Sequence, residues 1–220
     1  MVKVKICGIT NLEDALAAVT AGADVLGFNF YRRSPRFIEP LAARRIVREL
    51  PADLLTVGVF VNEPGPDTVQ RLADLAEVSA VQLHGDESPD YCGGLGDRFV
   101  IKALRVDGSY IPEHALSYPV DAILLDAFDQ NSPRERGGTG QTCDWTRARL
   151  TRELVPKLFL AGGLAPENVS DAIAAVEPYG VDAASKLEAS PGRKDTALVR
   201  AFIAAARKTE STDLRQMTKI

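Results

Sequence analysis

Short apolar runs alternate with amphipathic segments along almost the whole chain. Eight runs predict β-strands: Val2–Cys7, Val25–Phe30, Leu55–Val61, Ala80–Leu83, Phe99–Leu104, Ala122–Leu125, Leu158–Ala161 and Val181–Ala184. They are apolar on both faces, which is typical of parallel strands with helices outside and a packed interior. The segments between them predict helices at Asn11–Ala21, Pro40–Leu50, Asp67–Leu75, Ser88–Tyr91, Trp145–Leu154, Pro166–Val176 and Asp195–Lys208, with an irregular connection at Gly108–Ser117.

The number of strand–helix units favours a closed barrel over an open sheet. A doubly wound sheet shows the same alternation, but eight units and the lack of Gly-x-Gly-x-x-Gly after the first strand favour closure. We therefore predict an α/β protein whose single domain, residues 1–208, is a (β/α)8 TIM barrel. Residues 209–220 are polar and aperiodic and predict a disordered tail. Thr10 and Glu13 predict a capping box at the first helix.

The charge balance and the cysteine count narrow the class of function. A net charge of −4 argues against nucleic-acid and anionic-membrane surfaces, and no apolar run reaches the length of a signal peptide or a membrane span. Three cysteines without a secretory signal indicate free thiols in a reducing cytoplasm. No Cys-x-x-Cys pair occurs and the two histidines are far apart in sequence, so we predict neither a metal site nor a cofactor. The expected partner is a small molecule, bound by a monomer or a homodimer.

In such a barrel, the carboxyl ends of the strands carry the chemistry. Cys7 ends the first predicted strand, and Gly8 is expected to leave room beside its thiol. A cysteine here can act as a base if nearby cations lower its pKa, but taken alone it is more often a small core residue. Asp126 follows the sixth predicted strand, where a carboxylate in a water-poor mouth can serve as a general acid; a helix cap or loop ion pair is the alternative.

Two further polar residues stand at predicted strand ends. Arg36 lies in Ser34-Pro35-Arg36 after the second strand, where a guanidinium suits bidentate binding of a carboxylate; a solvated surface arginine is the alternative. His84 ends the fourth strand. It either orients or protonates a substrate or is a buried histidine with satisfied hydrogen bonds, so we assign it no catalytic step.

Glycine-rich segments mark candidate anion sites. The loop Arg136–Gln141, which contains Gly138, either approaches a ligand closely or is a flexible surface loop. Gly162 and Gly163 follow the seventh strand, and Ser185 and Lys186 follow the eighth. Loops after strands seven and eight commonly bind phosphate in this architecture, so the two segments together indicate a phosphate site.

The order of these motifs resembles the phosphoribosylanthranilate isomerase family. The resemblance covers nearly the whole chain through Lys5–Thr10, Ser34–Arg36, Gln82–Gly85, Leu125–Asp126, Gly137–Gly140, Leu160–Leu164 and Pro191–Asp195. It implies a (β/α)8 barrel of tryptophan biosynthesis. It also implies the Amadori rearrangement of N-(5-phosphoribosyl)anthranilate to 1-(2-carboxyphenylamino)-1-deoxyribulose 5-phosphate, without a metal or redox cofactor.

The resemblance also implies roles for individual residues. Cys7 takes the position of the general base, Asp126 that of the general acid, and Arg36 that of the group holding the anthranilate carboxylate. The phosphate positions fall on Gly162, Gly163 and the segment Ala184–Ser185. His84 and Gly138 lie in matching motifs and complete the predicted substrate-binding residues.

Two departures from the family pattern and three alternative functions remain open at this point. Ala184-Ser185-Lys186 stands where the family usually has Ser-Ser-Gly, and Cys143 replaces an aromatic residue before Asp-Trp. The alternatives are an isomerase for a related ribosylamine of histidine biosynthesis, an enzyme accepting both substrates, and a noncatalytic phosphosugar-binding barrel. The histidine-pathway sites resemble a pair of aspartates, so Cys7 argues against the first alternative. Cys7, Asp126 and Arg36 together argue against the third, because phosphate binding requires none of them.

Overall fold

Eight parallel strands close into one barrel. The computed structural model describes residues 1–127 and 144–217, with side chains for 1–126 and 144–208. The strands are β1 (Lys3–Cys7), β2 (Val25–Asn29), β3 (Leu55–Phe60), β4 (Ala80–Leu83), β5 (Phe99–Val106), β6 (Ala122–Ala127), β7 (Leu158–Leu160) and β8 (Gly180–Ala183). Each strand pairs with the next along the chain, and β8 pairs with β1. The predicted (β/α)8 barrel is confirmed.

Helices cover the outside of this barrel. They are α1 (Leu12–Ala21), α2 (Pro40–Val47), α3 (Pro66–Ala76), α4 (Pro89–Gly93), α5 (Trp145–Leu154), α6 (Val169–Val176) and α7 (Thr196–Met217), and a 3₁₀ turn, Pro112–Ser117, follows β5. One apolar core lies between strands and helices, and a second cluster that includes Val25, Val57, Ile101, Leu124 and Phe159 fills the interior. Because the strands contribute to both cores, they are apolar on both faces.

The helix ends differ from the predicted ones for local reasons. The first helix is capped by Asn11 rather than Thr10, because the Asn11 side chain accepts a hydrogen bond from the Asp14 backbone N–H at 2.9 Å. The predicted capping box is therefore wrong. Helix α6 begins at Val169 rather than Pro166. Helix α7 continues to Met217, so the predicted end at Lys208 is also wrong; residues 196–217 contain neither glycine nor proline to stop it.

A short hairpin after β8 was not anticipated from the sequence. Strands β9 (Glu188–Ser190) and β10 (Arg193–Lys194) pair antiparallel, and Gly192 adopts a φ of +80° in the turn between them. Glycine adopts this left-handed conformation without steric cost. The hairpin brings Glu188 and Lys194 to the loop after β2, where both join the site described below.

The register of the barrel places particular side chains side by side. Lys5 pairs with Asp182 between β1 and β8, and Cys7 pairs with Gly27 between β1 and β2. Neighbours in register on parallel strands point to the same side of the sheet, and residues two apart share a face. Lys5 and Cys7 therefore face the interior together. Asp126 lies within β6 rather than after it, because the strand continues to Ala127.

Candidate active site

The predicted site residues meet in one cavity at the carboxyl ends of the strands. The described members that line it are Cys7, Arg36, His84, Asp126, Gly162, Gly163, Ala184 and Ser185. They come from segments spread over the first, second, fourth, sixth, seventh and eighth strands. Gly138, the loop Arg136–Gln141 and Cys143 lie outside the described residues. Closure of the barrel is what gathers groups that are up to 178 positions apart in the sequence.

The room for the Cys7 thiol comes from Gly27, not from Gly8 as predicted. A Cβ atom on Gly27 would lie 2.7 Å from Cys7 Sγ. Gly8 has a φ of +78°, and a Cβ there would instead meet Arg36 Cδ at 2.6 Å. Gly8 thus allows Arg36 to pack closely, whereas Gly27 provides the space into which the thiol fits.

Charged side chains surround Cys7 in the barrel interior. Burial raises the pKa of the Cys7 thiol; the positive charges of Lys5 and Lys194 lower this pKa but do not offset the burial. Lys5 is fully buried, and its Nζ lies 2.9 Å from Asp182 Oδ2. Burial by itself would lower the pKa of Lys5, but the attraction of Asp182 and Cys7 outweighs it and the pKa is raised. Lys5 therefore stays a cation next to the thiol.

Asp126 is held in a chain of polar side chains across the mouth. It is 6% exposed, and its Oδ2 lies 3.2 Å from His84 Nε2. His84 Nδ1 in turn lies 2.7 Å from the Nε2 atom of Gln82, which is buried at the end of β4. The chain fixes the direction of the Asp126 carboxyl group and places His84 in hydrogen-bond contact with the predicted general acid. From the sequence we predicted a substrate-binding role for His84 and no role for Gln82.

Arg36 already binds a carboxylate of the protein. Its Nε and Nη2 atoms each donate to one oxygen of Glu188, both at 2.8 Å, and Lys194 Nζ donates to the same carboxylate at 3.0 Å. Burial would raise the pKa of Glu188, but hydrogen bonds and charges from Arg36 and Lys194 hold it below its usual value. One edge of the guanidinium is thus fixed. The binding of a substrate carboxylate by Arg36 stays a prediction. Because Nε and Nη2 already bind Glu188, such a carboxylate would have to contact the Nη1 atom.

The predicted phosphate segments line the same cavity. Gly162 and Gly163 have φ values of +86° and +64°, a conformation that favours glycine at both positions. The Asn168 side chain fixes their loop by accepting from Ala165 N at 2.8 Å and donating to Gly163 O at 3.0 Å. Among the described residues, no acceptor pairs with the backbone N–H of Gly163 or of Ser185. These N–H groups are available to an anion.

Two lysines near this cavity, Lys186 after β8 and Lys194 in the hairpin, differ in their exposure. Lys186 lines the cavity and is exposed. Lys194 is 7% exposed, and its Nζ also donates to Ala184 O at 3.1 Å.

Within the described ranges, no group of three or more His, Cys, Asp or Glu side chains is arranged to hold a metal ion.

Sequence reasoning missed the charged residues behind the thiol: Lys5, Asp182, Glu188 and Lys194. A signal for the first two was present, because each is a charged residue inside an apolar run at an interior-facing position. Nothing local indicated that Lys5 and Asp182, 177 residues apart, would pair.

Comparisons with known proteins identify the family. The family model described as N-(5'phosphoribosyl)anthranilate (PRA) isomerase matches residues 4–205. The chain belongs to this family. The N-(5'-phosphoribosyl)anthranilate isomerase of Citrifermentans bemidjiense is 53% identical over 208 residues, which cover 94% of this chain and 98% of that protein. The isomerase of Pelobacter propionicus is 49% identical, covering 98% of this chain and all of that protein.

Solved structures of the family have the same architecture. Phosphoribosyl anthranilate isomerase from Thermotoga maritima superposes with a TM-score of 0.85 at 45% identity, covering 94% of this chain and all of that chain. A second isomerase structure, in complex with reduced 1-(o-carboxyphenylamino)-1-deoxyribulose 5-phosphate, has a TM-score of 0.84 at 44% identity over the same coverage. A 3-hexulose-6-phosphate synthase is 14% identical with a TM-score of 0.67, which shows a shared fold alone.

Proposed function

We propose that this chain converts N-(5-phosphoribosyl)anthranilate into 1-(2-carboxyphenylamino)-1-deoxyribulose 5-phosphate in tryptophan biosynthesis. The observation that carries the proposal is the meeting of Cys7 and Asp126 in one cavity that also contains the glycine segments after β7 and β8. A base, an acid and an anion site are what an Amadori rearrangement of a phosphorylated ribosylamine requires.

The residues divide the reaction between them. Asp126 donates a proton to the ring oxygen of the ribose, so that the ring opens and C1 becomes an iminium carbon. Cys7 as thiolate removes the proton from C2, which gives an enolamine. The enolamine gains a proton at C1 and loses the proton of its C2 hydroxyl, leaving the ketone. The reaction requires Asp126 to be protonated and Cys7 to be deprotonated at the same pH. Because burial raises the pKa of Cys7, the cations Lys5 and Lys194 beside it are the groups that favour its thiolate.

Binding of the two anionic ends positions the reacting carbons. The phosphate would accept hydrogen bonds from the N–H groups of Gly163 and Ser185, and the anthranilate carboxylate would lie against Arg36. Binding energy from these remote groups can serve to orient C1 and C2 between Asp126 and Cys7.

The decisive experiment is turnover with phosphoribosylanthranilate, followed by its fluorescence loss, beside the same assay with the histidine-pathway analogue. We expect turnover of the anthranilate compound, and Cys7→Ala and Asp126→Asn each to reduce kcat severely with an unchanged fold. Normal turnover by either variant would remove that residue from the mechanism. Turnover of the analogue alone would contradict the proposed substrate, and turnover of neither would favour a binding protein.

Two substrate-binding roles have separate tests. Arg36→Ala is expected to raise KM more than it lowers kcat, and an unchanged KM would contradict its role. For Lys186, inhibition by inorganic phosphate is compared between wild type and Lys186→Gly; equal inhibition would argue against a contribution from its charge.

We further propose that the protein acts as a monomer or homodimer in the cytoplasm. A similar Thermotoga maritima structure is described as monomers generated from a dimeric isomerase, at 44% identity. In the described part of the chain, no helix has both the length and the apolar character needed to cross a membrane. Sedimentation velocity at several concentrations measures the oligomeric state directly.

A further inference from the structure

Asp182 presents one occupied and one unoccupied carboxylate oxygen to the barrel interior. Its Oδ2 accepts a hydrogen bond from Lys5 Nζ at 2.9 Å, and Lys5 is fully buried. Asp182 itself is 7% exposed and lines the cavity. Its Oδ1 is buried and has no hydrogen-bond partner among the described residues. The Lys5 ammonium group donates to Oδ2, so Oδ1 is the acceptor of this carboxylate that remains open to a ligand.

A buried acceptor of this kind calls for a donor from the ligand. Leaving a buried polar group without a hydrogen-bond partner is unfavourable, and more so when the group is charged. A phosphate or a carboxylate cannot fill the position, because both would bring a second negative charge and no donor. Of the groups in a phosphorylated ribosylamine, the hydroxyls and the amine remain.

The position of Asp182 in the barrel selects among these donors. Asp182 precedes the phosphate segment Ala184–Ser185 by two residues. It pairs in register with Lys5, and Cys7 is the next interior-facing residue along β1. Asp182 therefore lies one layer of side chains deeper in the barrel than both the thiol that acts on C2 and the phosphate segment, at the floor of the cavity that must hold the ribose carbons.

We propose, on the basis of the function proposed above, that Asp182 Oδ1 accepts a hydrogen bond from the hydroxyl group on C2 of the ribose. The bond strengthens during the reaction, because the C2 hydroxyl becomes an enol, a better donor, once Cys7 has removed the C2 proton. Interactions that strengthen toward the transition state accelerate the reaction. The product has a ketone at C2 and no donor, so Asp182 discriminates against it. Lys5 acts as a positioning residue that orients the carboxylate.

The first test uses the wild-type protein and two inhibitors. One is the reduced product analogue, 1-(2-carboxyphenylamino)-1-deoxypentitol 5-phosphate, which has a hydroxyl at C2; the other is the same compound without that hydroxyl. We expect the 2-deoxy compound to bind at least about 10-fold more weakly, corresponding to about 1.4 kcal/mol. Equal binding, or a loss seen only when the C3 hydroxyl is removed instead, would overturn the proposal.

The second test replaces the buried pair with apolar residues of similar volume, Lys5→Met with Asp182→Leu, because removing one charge alone would leave the other unpaired. The preference for the reduced analogue over the ketone product is expected to fall by about 10-fold, while inhibition by inorganic phosphate stays unchanged. An unchanged preference in the folded variant would contradict the role of Asp182. If the variant does not fold, the inhibitor pair on the wild type still decides. Wild-type turnover, measured separately, tests the proposed function itself.

Discussion

Gly27→Ala tests whether the position of the Cys7 thiol depends on a missing methyl group on the neighbouring strand. The alanine Cβ would lie 2.7 Å from Cys7 Sγ and 3.3 Å from Cys7 Cβ. Non-bonded carbon atoms prefer separations of about 3.5–4.0 Å, so the thiol must move by roughly 1 Å. The φ angle of Gly27 is outside the left-handed region, so the strain comes from the contacts with Cys7, which also include its Cα atom at 3.2 Å.

The expected loss of activity follows from that displacement. A misplacement of about 1 Å can reduce a rate on the order of 100-fold, whereas overpacking a core costs about 1–3 kcal/mol of stability. We expect kcat to fall by about 100-fold, with KM changed much less because the phosphate and carboxylate contacts are untouched. Steady-state kinetics and thermal unfolding measure the two effects separately.

A matched control lies on the adjacent strand. A Cβ on Gly58 would approach Phe30 Cε2 at 2.7 Å, the same degree of crowding as at Gly27 but without contact to Cys7. Gly58→Ala is expected to lose similar stability and to keep kcat within about 3-fold, since side chains outside the site rarely affect the chemical step. A folded Gly27→Ala protein with normal kcat would refute the reasoning, and so would an equal kcat loss in both variants.

Three further predictions concern the cap, the thiol and the phosphate loop. Asn11→Ala should lower the free energy of unfolding by about 1 kcal/mol and Tm by about 2–4 °C, whereas Glu13→Gln should leave Tm unchanged. A larger loss of Tm in Glu13→Gln than in Asn11→Ala would support the capping box instead. Burial raises the pKa of Cys7, so its alkylation by iodoacetamide should begin only above the pH that is usual for thiols. Mass spectrometry follows the alkylation at Cys7, and Lys194→Met, which removes a nearby positive charge, should shift the midpoint pH higher. A midpoint below the ordinary thiol value would contradict this sign. Asn168→Ala removes two hydrogen bonds and should weaken inhibition by inorganic phosphate about 5-fold or more, with kcat retained; unchanged inhibition would show that the loop needs no such support.

The sequence by itself determined the class of fold and most of the strand-end chemistry. The apolar runs are local signals, and a strand needs little more than its own residues to be recognised. Once eight strands are expected to close, Cys7, His84 and Gly162 must share one end of the barrel, because all parallel strands end there. The helix cap illustrates the limit of such signals, since Thr10 and Asn11 are both suitable caps and only the geometry of the chain selects Asn11.

The tertiary structure alone decided which groups surround the reacting atoms. Lys5 meets Asp182 only because β8 closes onto β1 in one register, and a register shift by a single residue would turn the two side chains to opposite faces. Gly27 provides room for Cys7 for the same reason. Glu188 contacts Arg36 because it lies in the β9–β10 hairpin, which no pattern in the sequence predicted. Such contacts join residues that are far apart in the chain, so they depend on the closure of the whole barrel. The residue types at the strand ends, in contrast, can be recognised from each segment of the sequence alone.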